Sequence, residues 1–334
     1  MHQRLSRVKS RSAAIRFLLS RAQFKECFAV VNQPGFRNSA LAGLQVAIAA
    51  LVVLPLIELS DFSHLIGFAS LGTLVALFGR FAAPERRGFT VFLCLLCQTA
   101  TVFVMSLVAW LELPMVGQLA ILALLCGTLF YIVTVGDFGP PGALIFIFAA
   151  SVSMGQVDTF ASVLERTTAT AVAAALAWLV VMITDVFRHD TPAAQDWFKS
   201  RPASHKLIAV ARMVLGSAVA AYVAYAFGGQ HAGWAAMGAV AVLQGSHLHI
   251  SMSRALQRTI GNVLGALLVA LVLLSQPSVW TIIVLVVILS FATEIIIGSN
   301  YGLGQILVTP MALLMSYLVA PDLAGMAMAQ ERVV

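Results

Sequence analysis

Long apolar runs alternate with short polar punctuation along this chain, and the length of the runs decides what they can form. A bilayer core about 30 Å thick is crossed by about 20 apolar residues in a helix. Runs suited to that task lie at 38–59, 65–79, 88–110, 117–135, 140–156 and 158–184. After a polar stretch at 185–204 they resume at 205–227, 232–246, 251–274, 279–297 and 302–319, and a last one starts near 324. None shows the period-2 alternation of a membrane strand, so a β-barrel is excluded. The pattern predicts an all-α, polytopic transmembrane helical bundle of about eleven full spans plus a truncated twelfth.

Composition agrees and charge adds an orientation. The chain is 60% hydrophobic and 10% charged, against about 45–50% and about 25% in soluble domains. The net charge of +6 would suggest nucleic acid in a soluble protein, but the placement of the positives explains it better. The N-terminal tail carries Arg4, Arg7, Lys9, Arg11, Arg16, Arg21, Lys25 and Arg37, and alternate loops add Arg80, Arg86, Arg87, Arg188, Lys199, Arg201 and Lys206, then Arg254 and Arg258. The intervening loops, 60–64, 111–116, 228–231, 275–278 and 320–323, hold no Lys or Arg. Positives are retained on the cytoplasmic side, which places the N-terminus there. Within the tail, Ile15, Leu18, Leu19 and Ala22 share one helical face over 11–28 while basic residues crowd the others, the pattern of an interfacial helix lying on membrane lipid. A nucleic-acid arm fits poorly, since no aromatic platform accompanies the charge.

The sequence also repeats. A shift of 167 residues lays 64–89 on 231–256 without a gap, His64 on His231 and Arg87 on Arg254, and a shift of 166 sets Glu165-Arg166 on Glu331-Arg332. Six helices return a chain to its starting side, so the halves form two parallel six-helix repeats. The organisation expected is a basic cytoplasmic tail at 1–37, a first repeat at 38–184, a cytoplasmic linker at 185–204 and a second repeat at 205–334 whose last helix is cut short.

Charges inside the runs are the candidate chemistry, because each costs about 2.5–3.5 kcal/mol near a helix centre. Arg166 lies about 12 Å in from its outer loop by helical rise; it suits either an anion or an ion pair. Cross-pairing of Glu165 with Arg332 and of Glu331 with Arg166 would neutralise all four. Arg212 lies close enough to the cytoplasmic edge to snorkel, and Glu294 is a candidate for ion pairing or proton coupling. Arg254 and Arg258 stand one turn apart at the cytoplasmic mouth, as anion ligands or as headgroup anchors, and Gly261 and Gly265 after them suit close helix packing. The second and eighth runs are too short to cross unaided and occupy matching places in the halves, which points to a transport site. Trp234, on the eighth, suits either an aromatic ligand or an interfacial belt. Cys94 and Cys97 read as apolar filler. No metal or cofactor site is expected, and the absence of catalytic motifs such as HExxH, GxSxG or a P-loop argues against an enzyme.

The segment HAGWAAMGAVAVLQGSHLHISMSRALQRTIGNVLGALLVAL (231–271) resembles the signature of the fusaric-acid-resistance and aromatic-acid-exporter family: a Trp in a short helix, then Arg-x-x-x-Arg-x-x-Gly-x-x-x-Gly opening the next. The Glu-Arg pair at the start of each half's sixth helix resembles it as well. The first half departs from the pattern, with Gly67 and Phe68 where Trp234 aligns. The resemblance implies a bacterial inner-membrane exporter of small organic anions, often aromatic carboxylates, and a distant kinship with plant malate channels. Read from the residues themselves, the candidate substrate ligands are Arg166, Trp234, Arg258, Arg254, Arg212 and Arg332, with Glu165, Glu331 and Glu294 for ion pairing or proton coupling. A passive anion channel and a non-transporting membrane subunit are the alternatives, and a homo-oligomer is compatible with each.

Overall fold

Each apolar run described contains a helix, and polar or conformationally restricted residues set the ends. A computed structural model describes residues 35–80, 82–189, 203–229, 231–244 and 248–320. The amphipathic stretch 11–28, most of the linker and the run from 324, with Glu331 and Arg332, lie outside the described residues. Eleven α-helices and no strand occur among the described residues: α1 (Phe36–Glu58), α2 (Ile66–Thr73), α3 (Pro84–Trp110), α4 (Met115–Gly136), α5 (Leu144–Val152), α6 (Phe160–Thr184), α7 (Ala203–Ala226), α8 (Ala232–Leu243), α9 (Leu248–Leu274), α10 (Val279–Ile297) and α11 (Tyr301–Val319). Short 3-10 turns, Ser63–Leu65 and Leu74–Leu77, extend α2 at both ends. Pro84 opens α3, where its missing N–H costs nothing. Thr159, Ser278 and Asn300 cap α6, α10 and α11 by accepting the backbone N–H of Ser162, Thr281 and Leu303.

Eight helices are long and apolar enough to cross a membrane, which makes this a multi-pass membrane protein, and three of the eleven runs fall short of that length. The largest departure from expectation is the run at 140–156, which yields only the nine-residue α5. Its start is occupied by Pro140 and Pro141, which lack N–H donors, between Gly139 and Gly142, both at positive φ (70° and 74°). That backbone cannot continue a helix. Leu51, Leu124, Ile183 and Leu271 point outward and are exposed, a surface suited to acyl chains.

Contacts between helices follow a reciprocal pattern. α1 packs along α10, and α4 along α7; α2 meets α11, and α5 meets α8. Moving six helices along the chain converts each contact into its counterpart. The correspondence extends to residues. A Cβ on Gly43 of α1 would lie 3.0 Å from the Phe291 carbonyl oxygen and 3.1 Å from Glu294 Cβ, and one on Gly127 of α4 would lie 2.3 Å from Val214 and 3.2 Å from Val210. A shift of 167 residues carries Gly43 onto Val210 and Gly127 onto Glu294, so a glycine admits the partner helix at both crossings.

Candidate functional site

Two polar centres interrupt the apolar interior. The first gathers at the end of the bundle that holds the start of α1, the end of α2, the start of α3 and the ends of α6 and α10. Arg80 and Glu294, both buried, form an ion pair there; Arg80 Nη1 also donates to Ser39 Oγ at 3.3 Å. Beside them Arg87 Nη1 donates to both oxygens of Asp185 (2.7 and 2.8 Å), and Arg188 Nε donates to Asp185 Oδ1 at 3.2 Å. Arg188 Nη2 reaches Gln45 Oε1 at 3.0 Å, and Gln45 Nε2 donates to Thr184 Oγ1 at 2.7 Å. Burial, and after it the neighbouring Arg87, lower the Arg188 pKa from its ordinary value, while Asp185 pulls it back. Three guanidiniums thus share two carboxylates, of which Glu294 is buried and Asp185 partly exposed. The arrangement ties α1, α3 and α6 together and, through Glu294, ties α10 to them.

The second centre is a cavity of about 610 Å³ between α7, α8 and α9. Trp234, Arg258, Thr259, Asn262 and His231 are in its wall. α8 supplies Trp234, 6% exposed, with its ring 5.4 Å from that of His231. α9 supplies Arg258, 8% exposed although it lies within a membrane-spanning helix. Its Nη1 is 3.5 Å from Gln305 Oε1 on α11. Gln305 Nε2 in turn donates to Asn262 Oδ1 (3.0 Å), which also accepts from Thr309 Oγ1 (2.9 Å). Close approach of α9 to α11 makes this ladder possible: a Cβ on Gly261 would lie 2.6 Å from Gln305 Cβ, and one on Gly265 2.6 Å from Thr309 Cβ. A guanidinium held by a neutral amide, with an indole and hydroxyl and amide groups around one space, can pair with a carboxylate and cover an attached ring.

The remaining candidates are dispersed. Arg254 lies with Cζ 5.9 Å over the Tyr301 ring. Arg212, exposed on α7, donates Nη2 to the Leu243 carbonyl at 3.0 Å and so caps the end of α8. Arg166, on α6 and far from Trp234 in sequence, lies with Cζ 4.9 Å over the Phe68 ring and donates Nη2 to the Gln156 carbonyl at 3.2 Å. Glu165 lies 3.6 Å from His64 Nε2. Glu331 and Arg332, the other halves of the expected cross-pairs, are outside the described residues.

Asn262, Gln305 and Thr309 were not singled out in the sequence, yet a signal was present. Asn262 follows Arg258 by four residues and Thr309 follows Gln305 by four, so each pair shares a helix face.

The residues lining the cavity lie within a stretch of sequence that carries a family likeness. Residues 219–334 match the family model described as fusaric acid resistance protein-like. The match covers about a third of the chain and takes in Trp234, Arg254, Arg258, Glu294 and Gln305; Arg166 is outside it. No curated protein and no solved structure matches the chain.

Proposed function

We propose that the protein exports small organic anions, aromatic carboxylates among them, across a bacterial inner membrane, with its N-terminus in the cytoplasm. Arg258 is the observation that carries this reading. A guanidinium is expensive inside a membrane-spanning helix, and among the described residues this one is buried with a neutral amide rather than a carboxylate as its hydrogen-bond partner. Its positive charge is therefore available to a permeating anion, and Trp234 in the same cavity supplies an aromatic face. The family likeness over 219–334 supports the assignment, and the reciprocal helix contacts support two parallel repeats.

A thermal-shift series on purified protein tests the binding step. Aromatic carboxylates are expected to raise the melting temperature of the native protein, and the rise is expected to vanish in Arg258→Gln. An unchanged melting temperature with every aromatic and aliphatic carboxylate tried, at millimolar concentration, would remove the basis for the proposal.

A further inference from the structure

Arg258 belongs to a chain of polar side chains that passes from α9 to α11 and back, and the guanidinium at its end fixes the sense of the bonds. Arginine has donors only. Gln305 must therefore turn Oε1 toward Arg258 Nη1, 3.5 Å away, which leaves its Nε2 facing α9. Asn262 answers that N–H with Oδ1 at 3.0 Å, and the same oxygen accepts the Thr309 hydroxyl at 2.9 Å. Arg258, Gln305 and Thr309 are buried, so a reversed amide would set donor against donor and leave a buried bond unmade.

The fold does not require this chain. A shift of 167 residues carries Arg258, Asn262, Gln305 and Thr309 back onto Val91, Leu95, Phe138 and Gly142, none of which has a side chain that can hydrogen-bond. Val91 and Phe138 are buried in the apolar core, and the Phe138 ring stands edge-on to Phe78 at 6.5 Å. Phe78 in turn stacks on Phe146 at 5.1 Å. The first half thus has hydrocarbon at the places where the second half has amides and a hydroxyl. Burying polar groups is costly unless they are paired, so the second half keeps them for something other than closing two helices.

On the reading of Arg258 as the anion's ligand, on which this step rests, we infer that Gln305 sets the preference of the site for a carboxylate over an uncharged molecule of the same shape, and that Asn262 and Thr309 are positioning residues for it. The Gln305 oxygen solvates the guanidinium without neutralising it. Asn262, steadied by the Thr309 hydroxyl, holds the amide so that its NH2 stays turned away from Arg258. A carboxylate at 305 would do the opposite, pairing with Arg258 and cancelling the charge that a substrate anion needs. The residue type at 305 therefore selects the charge of the ligand.

Benzoate and benzamide test this, because they share a ring and a shape and differ in charge. Their dissociation constants are measured by calorimetry at neutral pH on purified full-length protein: the native chain, Gln305→Glu, Asn262→Leu and Asn262→Ala, with melting temperature as the check on folding. Leu at 262 copies the first half, and Ala needs less room. The ratio of the two constants is the readout, since a merely structural loss weakens both ligands together. Native protein is expected to prefer benzoate, and the preference is expected to fall by about tenfold to a hundredfold in Gln305→Glu and in the same direction at 262. A native-sized preference in Gln305→Glu, or in both variants at 262, overturns the inference while leaving Arg258 as the anion's ligand. Equal affinity of native protein for the two compounds, or none for either, removes that reading of Arg258 and the inference with it.

Discussion

Glu294, near the end of α10, is paired in the interior with Arg80, at the turn that follows α2. The two belong to opposite halves of the chain, and their pairing decides what a neutral residue at either position would do. Removing one partner leaves the other charge buried alone, a loss of about 3–5 kcal/mol. Glu294→Gln and Arg80→Gln are each expected to lower the melting temperature substantially, and the double change is expected to recover a large part of the loss. A double mutant as unstable as the sum of the singles would mean that the two side chains do not depend on each other.

The α9–α11 crossing gives a packing prediction. A Cβ on Gly265 would already lie 2.6 Å from Thr309 Cβ and 2.8 Å from the Ile306 carbonyl oxygen, so a branched side chain forces the helices apart. Gly265→Val is expected to cost about 1–3 kcal/mol, in the range of overpacked cores, and to weaken carboxylate binding by disturbing the Asn262–Thr309 bond. Gly117→Val serves as the comparison, because its Cβ would meet Leu113 at an ordinary 3.5 Å. Equal melting temperatures for the two variants would contradict this account of the crossing.

Much of this was legible in the sequence, for physical reasons that differ by element. Membrane helices are set by continuous apolarity and the length of a span, so the long runs were read almost at their observed limits. At 140–156 apolarity misled, because hydropathy does not register that Pro140, Pro141 and the positive-φ glycines around them prevent a helix. Arg258 stood out as one of two arginines at the cytoplasmic mouth and Trp234 as an aromatic on a short helix, and the structure brings both to one cavity. Asn262 and Gln305 did not, since a neutral amide costs less in a span and attracts attention only once its partners are known. The Arg80–Glu294 pair was out of reach: Arg80 read as a loop anchor, and a pairing between side chains so far apart is a property of the fold.

Orientation is open to direct test. The distribution of Lys and Arg predicts that the linker faces the cytoplasm and that the turn between α9 and α10 faces the periplasm. A cysteine at Ser275, in a cysteine-free background, is expected to react with an impermeant thiol reagent in intact cells, and one at Ala194 only after lysis. Reversal of the two patterns would invert the topology and with it the direction assigned to transport.

The central claim, that Arg258 holds the permeating anion, is tested most directly by efflux of a small aromatic carboxylate from proteoliposomes. Among the described residues Arg258 pairs with no carboxylate, and its neighbour Gln305 is neutral, so Arg258→Gln strands no buried charge. The substitution removes a charge that is costly within a span and keeps a hydrogen-bonding head, and the variant should melt no lower than the native protein. On this account efflux falls to background in Arg258→Gln while the fold is kept, and Arg258→Lys, which restores the charge without the planar fork, recovers part of it. Native efflux rates in Arg258→Gln would contradict the account.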